Sequence, residues 1–301
     1  MKTIFIMPIQ NDYQSASILI EQISGHFRAE DENLILVVDD GSAKLQLVNG
    51  HELLSQKKVL FCFTQFKSGH QNAICFGLSH VKENYPGYNV VILDGDGEDK
   101  AADALNLAQR LDVMESPSVI LAIRGTRDVG IKFRIGYFFF THLFKKFTGK
   151  NLRSGNFMAI SKDKIPSVLN FPGIRLHLAA AVTRYEPDVT YIEFNRGSRI
   201  AGNSRMNLAS LTLHAYGAFS VFSDIVLARF CLFLFMVSVF LSTTVLVIIA
   251  LKVTGILGGI PGWTSLVILQ ISATTVILLS IAFIGLMLQL RTGLNSQKSK
   301  V

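Results

Sequence analysis

The chain has 301 residues, half of them hydrophobic, and a formal charge of +7. Its mean hydropathy of +0.38 is too high for an ordinary soluble protein, and its length suits one large domain or two modest ones. The positive charge fits a protein that lies against anionic lipid and handles phosphates; nucleic acid would also fit on charge, but no recognition motif for it is present.

Residues 3–8 read as a first strand. This run is too short for a signal peptide and leads into Gln10-Asn11-Asp12 without a small-residue cleavage site, so the N-terminal part is expected to stay cytosolic. Residues 13–27 carry helical spacing at Ile18, Leu19, Ile23 and Phe27. Residues 34–38 predict a second strand that ends in Asp39-Asp40-Gly41-Ser42. A third strand follows at 59–63 and a helix over about 71–81. The fourth strand, 90–93, runs into Asp94-Gly95-Asp96-Gly97-Glu98-Asp99, ahead of a helix at 101–111 and a fifth strand at 119–123. This βαβα rhythm implies an α/β fold with a mainly parallel sheet, helices on both faces, and ligands at the carboxyl ends of the strands. Cys62, Cys75 and Cys231 have no metal-ligand spacing and an odd count, as in a reducing compartment. His70, His142, His177 and His214 share no metal spacing either and read as structural or surface residues.

Three strand ends are polar: 8–12, 39–42 and 94–99. In an open α/β sheet they fall along one crevice. Asp94 and Asp96, separated by a glycine at the end of a strand, read in isolation as an acidic turn, but can also hold a hard divalent cation that keeps positions open for phosphate oxygens. No Gly-x-Gly-x-x-Gly follows the first strand and no Walker loop is present, so a glycine-rich helix start does not hold a pyrophosphate. A metal at Asp94 and Asp96 would be the substitute.

Between Arg124 and Arg153 lie Arg127, Lys132, Arg134, Lys145, Lys146 and Lys150, opposed only by Asp128. Arg124 and Arg127, just after a strand, suit phosphate oxygens; the three lysines flank an aromatic run at 137–147 and suit lipid headgroups. Residues 205–229 have apolar spacing at Leu208, Leu211, Ala215, Phe219, Phe222 and Val226, which predicts an amphipathic helix at a membrane interface. Residues 230–251 and 264–290 hold no charge, and at about 1.5 Å per residue each exceeds a hydrocarbon core of ~30 Å. The connection between them is short and glycine-rich, so the two spans make a hairpin. Arg205 and Arg229 precede it, and Arg291, Lys298 and Lys300 follow it, against Lys252 alone in the loop. The positive-inside rule puts both termini in the cytoplasm. The domains expected are a cytosolic catalytic domain (1–204), an interfacial region (205–229), a membrane hairpin (230–291) and a cytosolic tail (292–301). Hairpin-anchored chains can associate as homo-oligomers through their membrane helices, although no strong packing motif is present.

Taken in order, these motifs resemble the family 2 glycosyltransferases of GT-A fold, in the branch of dolichyl-phosphate mannosyltransferase and the bacterial polyprenyl-phosphate glycosyltransferases. Residues 6–12 are similar to the opening Pro-x-Tyr-Asn-Glu element, with Gln10 for Tyr and Asp12 for Glu. Residues 37–42 match Val-Asp-Asp-Gly-Ser; 69–73 resemble the Asn-x-Gly segment, with Lys67 where Asn is usual; 94–99 fit the metal motif; and Arg199-x-x-Gly202-x-Ser204-Arg205 resembles Arg-x-x-Gly-x-Ser-Lys. The resemblance implies that Pro8, Asp12, Asp39, Asp40 and Asp94 line the donor nucleotide pocket, with Asp39 accepting hydrogen bonds from the base. It implies Mg²⁺ or Mn²⁺ on Asp94 and Asp96, with Asp96 the more direct and catalytic ligand, and an inverting in-line displacement. Arg124 and Arg127 would serve catalysis and, with Arg199, Ser204 and Arg205, bind the acceptor phosphate.

A sugar-hydroxyl acceptor needs a general base, whereas a polyprenyl phosphate is already anionic and needs cations instead. Asn156 stands where many relatives have Asp and cannot act as a base, which favours the lipid phosphate; with a hydroxyl acceptor, Asp128, Glu98 or Asp99 would have to serve. The leading expectation is transfer of a hexose from a UDP- or GDP-sugar to polyprenyl phosphate at the cytosolic face. Transfer to a hydroxyl of a lipid-linked or envelope saccharide is the alternative, and a non-catalytic scaffold or sugar-nucleotide sensor the third. A processive synthase is disfavoured, because two helices do not enclose a channel and the sole tryptophan, Trp263, is outside any Gln-x-x-Arg-Trp motif.

Overall fold

A computed structural model describes residues 1–42, 58–64, 66–116, 118–125, 131–152, 154–195, 197–200, 208–256 and 262–298. They form two compact units, Met1–Val221 and Phe222–Val301.

The first unit is a seven-stranded sheet of order β3-β2-β1-β4-β6-β5-β7. Its strands are β1 (Thr3–Ile9), β2 (Leu34–Asp39), β3 (Val59–Phe63), β4 (Asn89–Ile92), β5 (Val119–Arg124), β6 (Ser154–Ile160) and β7 (Val189–Phe194). β1 pairs in parallel with both β2 and β4, and β5 with β7, while β6 is antiparallel to β4 and β5. The expected mainly parallel α/β sheet is thus present, with one reversed strand that local pattern did not announce. β1 is buried along its whole length, the signature of a strand covered on both faces. The order doubles back between β1 and β4, and this switch point opens a crevice past their carboxyl ends.

Helices α1 (Tyr13–Ser24) and α3 (Ala101–Asp112) cover one face. There Leu19, Ile20, Leu107 and Ala108 join Phe5, Met7, Val37, Val91 and Phe157 in a single buried cluster. A fully buried Leu or Phe of this kind stabilises by about 1.5–3 kcal/mol. Helix α2 (His70–Asn84) packs on the opposite face, where a Cβ on Gly77 would stand 2.9 Å from Ile6 and 3.1 Å from Val38. Strand and helix backbones approach closely there because the residue between them has no side chain.

Helix α4 (Ile131–Thr148), the short α5 (Ile165–Leu169), α6 (Leu178–Tyr185) and α7 (Leu208–Val221) complete the unit. Phe219 of α7 packs edge-on against Phe140 and tilted against Phe144 of α4, at ring distances of 5.8 and 5.1 Å. Phe219, one residue of the apolar stripe, thus packs against protein, and among the described side chains of α7 Leu213 and Tyr216 are exposed.

His177 caps α6, its Nδ1 accepting from the Ala180 amide at 3.2 Å, and its ring lies 4.2 Å from that of His214 on α7. Burial, reinforced by His214, pulls its pKa from 6.5 down to about 3. The unfolded chain therefore takes up a proton near pH 6.5 that the folded chain refuses until about pH 3, and stability falls as pH drops through that window. Unfolding of the full chain in detergent should show about 2 kcal/mol less stability at pH 5 than at pH 7, and His177→Asn, which keeps a capping acceptor, should flatten the difference. An unchanged pH dependence in that variant would refute the assignment.

The second unit is a helical pair, α8 (Ser223–Val253) and α9 (Trp263–Lys298). Cys231, Leu234 and Ala282 are buried between them. Segments Ser223–Val253 and Trp263–Gly285 are long and apolar enough to cross a bilayer, with most of that apolar surface uncovered by protein. This agrees with the expected hairpin; α8 starts seven residues earlier than the uncharged run because Asp224 and Arg229 lie inside its first two turns.

Candidate functional site

The crevice beyond β1, β2 and β4 gathers the polar strand ends. Pro8 lies near the end of β1, beyond the last paired residue of β4, where its missing amide hydrogen leaves no ladder bond unmade. The β1 and β2 ends are stitched together by the Asn11 amide donating to Ser42 Oγ at 2.8 Å and by Gln10 Nε2 donating to the Asp40 carbonyl at 3.2 Å.

Asp39 and Asp40 are both buried, and each is engaged by the protein itself. Asp39 accepts from the Tyr13 hydroxyl and, at 2.7 Å, from the Ser42 amide. Burial and this carboxylate push the Tyr13 pKa up, so the phenol stays a donor. Asp40 accepts from the amides of Ser68 (2.6 Å) and Gly69 (2.8 Å) and from the hydroxyls of Ser68 (2.7 Å) and Thr64 (3.3 Å). It thereby ties the loop before α2 to the end of β2. Asp40→Ala should destabilise the protein by about 1.5–3 kcal/mol, since it removes a buried charged acceptor from two half-buried loop hydrogen bonds. A thermal midpoint unchanged in detergent would contradict this anchoring role.

Anchoring that loop fixes the first residue of α2. His70 Nε2 lies 3.2 Å from Asp94 Oδ1, a contact that sequence spacing did not suggest; the only available signal was the Gly69-His70 pair at a helix start. The Asp94 amide in turn donates to Asp99 Oδ2 at 3.0 Å, and the Glu98 amide to Asp96 Oδ1 at 3.0 Å, so the loop is braced by its own carboxylates. A Cβ on Gly95 would stand 2.7 Å from Ile9, so the loop lies flat on the end of β1 only with glycine there. Gly97 has φ +84°, and a Cβ on it would come within 2.4 Å of Ile200.

Ile200 is there because residues 197–200 run beside 96–98. The Gly197 amide donates to the Glu98 carbonyl at 2.9 Å, and the Ile200 amide to the Asp96 carbonyl at 3.0 Å. This backbone pairing delivers Arg199 to the crevice. Its Nη2 meets Asp12 Oδ2 at 2.7 Å and its Nη1 lies 3.6 Å from Asp96 Oδ2, with all three side chains about one-fifth exposed (19–20 %). Asp12 also accepts from Ser15 Oγ at 3.1 Å. Arg199, expected on the acceptor side, thus stands between two carboxylates expected on the donor side.

Arg124 is the last residue of β5, paired with Phe194 of β7. Arg127, Ser204 and Arg205 lie outside the described residues, as do Asp128 and Arg153. Lys145, Lys146 and Lys150 are exposed at the carboxyl end of α4. Asn156 is buried on β6, and extending the Ile92–Met158 register by two residues sets it level with Asp94, between the ends of β4 and β5.

Among the described residues no three His, Cys, Asp or Glu side chains form a metal-holding group. Asp94 and Asp96 are a partial, oxygen-only set on one loop. That fits Mg²⁺ or Mn²⁺, which dehydrate incompletely and take one or two carboxylates plus substrate phosphates rather than a closed protein cage.

No family model and no curated protein matches the chain. Solved structures do. Glucosyl-3-phosphoglycerate synthase from Mycobacterium tuberculosis with phosphoglyceric acid has a TM-score of 0.55 at 14 % identity, over 74 % of this chain and 80 % of that one. The same enzyme with Mn²⁺ and UDP-glucose gives 0.54 at 14 % identity, over 74 % and 79 %. With UDP it gives 0.53 at 14 % identity, over 76 % and 80 %. These are nucleotide-sugar glycosyltransferases, and at such identity the likeness is one of fold. The chain has the GT-A architecture expected from its motifs, followed by two helices of membrane-spanning character.

Proposed function

We propose that the chain is a membrane-anchored, inverting glycosyltransferase of the polyprenyl-phosphate branch. It would move a hexose from a nucleotide sugar to polyprenyl phosphate at the cytosolic face. The observation that carries this reading is the charge cluster at the switch point: Asp94 and Asp96 on a braced loop, with Arg199 held between Asp96 and Asp12. Similar folds with UDP-glucose and Mn²⁺ bound support a nucleotide-sugar donor. The two long apolar helices support an acceptor that resides in the bilayer.

In this mechanism Asp94 and Asp96 would hold Mg²⁺ or Mn²⁺, which would supply positive charge to offset the negative charge developing on the leaving nucleoside diphosphate. His70 fixes the orientation of Asp94. Arg199 offers a guanidinium fork to the same diphosphate while its other contacts hold it in place. Arg124 and Arg127 receive the acceptor phosphate, with Ser204 and Arg205 at the headgroup side. The acceptor oxygen is anionic at neutral pH, so no side chain has to remove a proton and Asn156 suffices where a base would otherwise stand.

The test is to supply the purified full chain with labelled UDP- and GDP-hexoses, Mg²⁺ or Mn²⁺, and polyprenyl phosphate. An acid-labile, lipid-extractable sugar phosphate is the expected product. An acid-stable glycoside would point to a hydroxyl acceptor, and no lipid product from any common donor would refute the proposal.

A further inference from the structure

Buried side-chain polar atoms with no hydrogen-bond partner are rare in folded proteins, and each calls for an explanation. Among the described residues, Thr3 Oγ1 and Asn33 Nδ2 share one neighbourhood at the amino end of β1, where the Thr3 amide donates to Asn33 Oδ1 at 3.2 Å. Three more, Gln71 Nε2, Ser154 Oγ and Asn156 Oδ1, lie at the carboxyl end of the sheet, beside the candidate site. Ser154 is 8 % exposed and Asn156 6 %.

Each of the three is held in place by the fold. Gln71 is the second residue of α2, next to His70, and its Oε1 accepts from the Leu178 amide at the start of α6 at 2.8 Å. That bond fixes the side-chain amide and leaves Nε2 without an acceptor. Ser154 pairs with Ile123 near the end of β5, and Asn156 stands level with Asp94. β6 is irregular here: Met158 pairs with Leu121 but Ser154 with Ile123, so four steps along β6 match two along β5. Asn156 falls within that bulge. Bulges of this kind recur next to active sites, where they re-aim a side chain.

The chemistry of the three atoms restricts what they can bind. Asn156 Oδ1 only accepts, Gln71 Nε2 only donates, and Ser154 Oγ does either. A diphosphate linking a nucleoside to a sugar offers acceptors alone and would leave Asn156 Oδ1 unsatisfied. Sugar hydroxyls both donate and accept, and a hexose carries several on adjacent carbons. We infer that Gln71, Ser154 and Asn156 read the hydroxyls of the donor's hexose. The inference rests on the proposed use of a nucleotide sugar: Asp94, level with Asn156, would be at the donor diphosphate, and the sugar is joined directly to that group. Asn156 thereby has a task of its own at the position where a base would otherwise stand, and the three side chains determine which hexose is accepted.

The test uses the full chain in detergent with Mg²⁺ and no acceptor. Calorimetric titrations compare the UDP and GDP forms of glucose, galactose and mannose with sugar-free UDP and GDP. For the nucleotide sugar that the wild type binds best, Ser154→Ala and Asn156→Leu should each weaken affinity about 3- to 10-fold, while the matching free nucleotide binds as in the wild type. Differences in affinity among the three hexoses should shrink in both variants. Thermal unfolding without nucleotide should be unchanged or shifted upward, because Ser154 Oγ and Asn156 Oδ1 lose no protein partner. An unchanged ratio of nucleotide-sugar to nucleotide affinity in both variants would overturn the inference and leave the transfer reaction standing. If the thermal midpoint also fell, the two oxygens would serve buried water or the fold instead. Equal losses for nucleotide sugar and free nucleotide would overturn it too, by placing the residues at the nucleotide. A wild type that binds none of the nucleotide sugars would remove the proposed transfer reaction and this inference together.

Discussion

Asp96→Asn should reduce sugar transfer by at least about 10²-fold while the protein remains folded and membrane-bound. The substitution is chosen to remove charge and little else. Asp96 Oδ1 accepts from the Glu98 amide, and an asparagine oxygen can do the same. The Asp96 carbonyl still pairs with the Ile200 amide. What disappears is the negative charge facing Arg199 at 3.6 Å, a pair one-fifth exposed and screened by water, worth at most about 1 kcal/mol to stability. A loss of 10²-fold in rate corresponds to about 2.7 kcal/mol in the barrier. The effect on catalysis should therefore exceed the effect on folding, and the two are separable by measuring transfer and thermal unfolding on the same sample. Raising the Mg²⁺ or Mn²⁺ concentration should recover part of the activity if Asp96 holds the ion. Near-wild-type transfer by Asp96→Asn would remove Asp96 from the catalytic site.

β1, β2 and β4 were legible because they are buried along nearly their whole length and so appear as uninterrupted apolar runs that lead into acids. β6 was not. It opens Ser154-Gly155-Asn156, which reads as a loop, and nothing local announces that it enters the sheet reversed between β4 and β5. β7 is an edge strand with residues alternating between half-buried and exposed, so its apolar signal is weak. α4 is rich in phenylalanine, which carries no helical preference; its packing through Phe140, Phe144 and Phe219 is what the sequence could not display. In the candidate site, Asp12, Asp94 and Asp96 were readable as strand-end acids. The position of Arg199 was not, because it depends on two backbone hydrogen bonds between segments about a hundred residues apart. The internal partners of Asp39 and Asp40 were hidden for the same reason: Tyr13, Ser68 and Gly69 reach them only through the fold.

Arg199→Gln should weaken UDP or GDP binding by about 10- to 100-fold, with the KM for polyprenyl phosphate nearly unchanged. A charge-assisted hydrogen bond contributes about 1.5–3 kcal/mol, and each 1.4 kcal/mol is tenfold in affinity. The direction follows from where the guanidinium is held. Its 2.7 Å contact is with Asp12 at the end of β1, its longer contact is with Asp96, and both carboxylates belong to the strand ends that flank the switch point. Without the arginine those acids repel each other and the donor diphosphate alike. Folding should suffer less, by about 1 kcal/mol, because water reaches all three groups. A double-mutant cycle with Asp12→Asn isolates the pair: if Asp12 serves chiefly to position Arg199, the two losses in nucleotide affinity will fall well short of adding. If Arg199 instead grips the acceptor phosphate, as the signature around it suggested, the KM for polyprenyl phosphate will rise while UDP and GDP titrate as in the wild type. That result would move Arg199 to the acceptor side and leave Asp94 and Asp96 to hold the diphosphate with the metal alone.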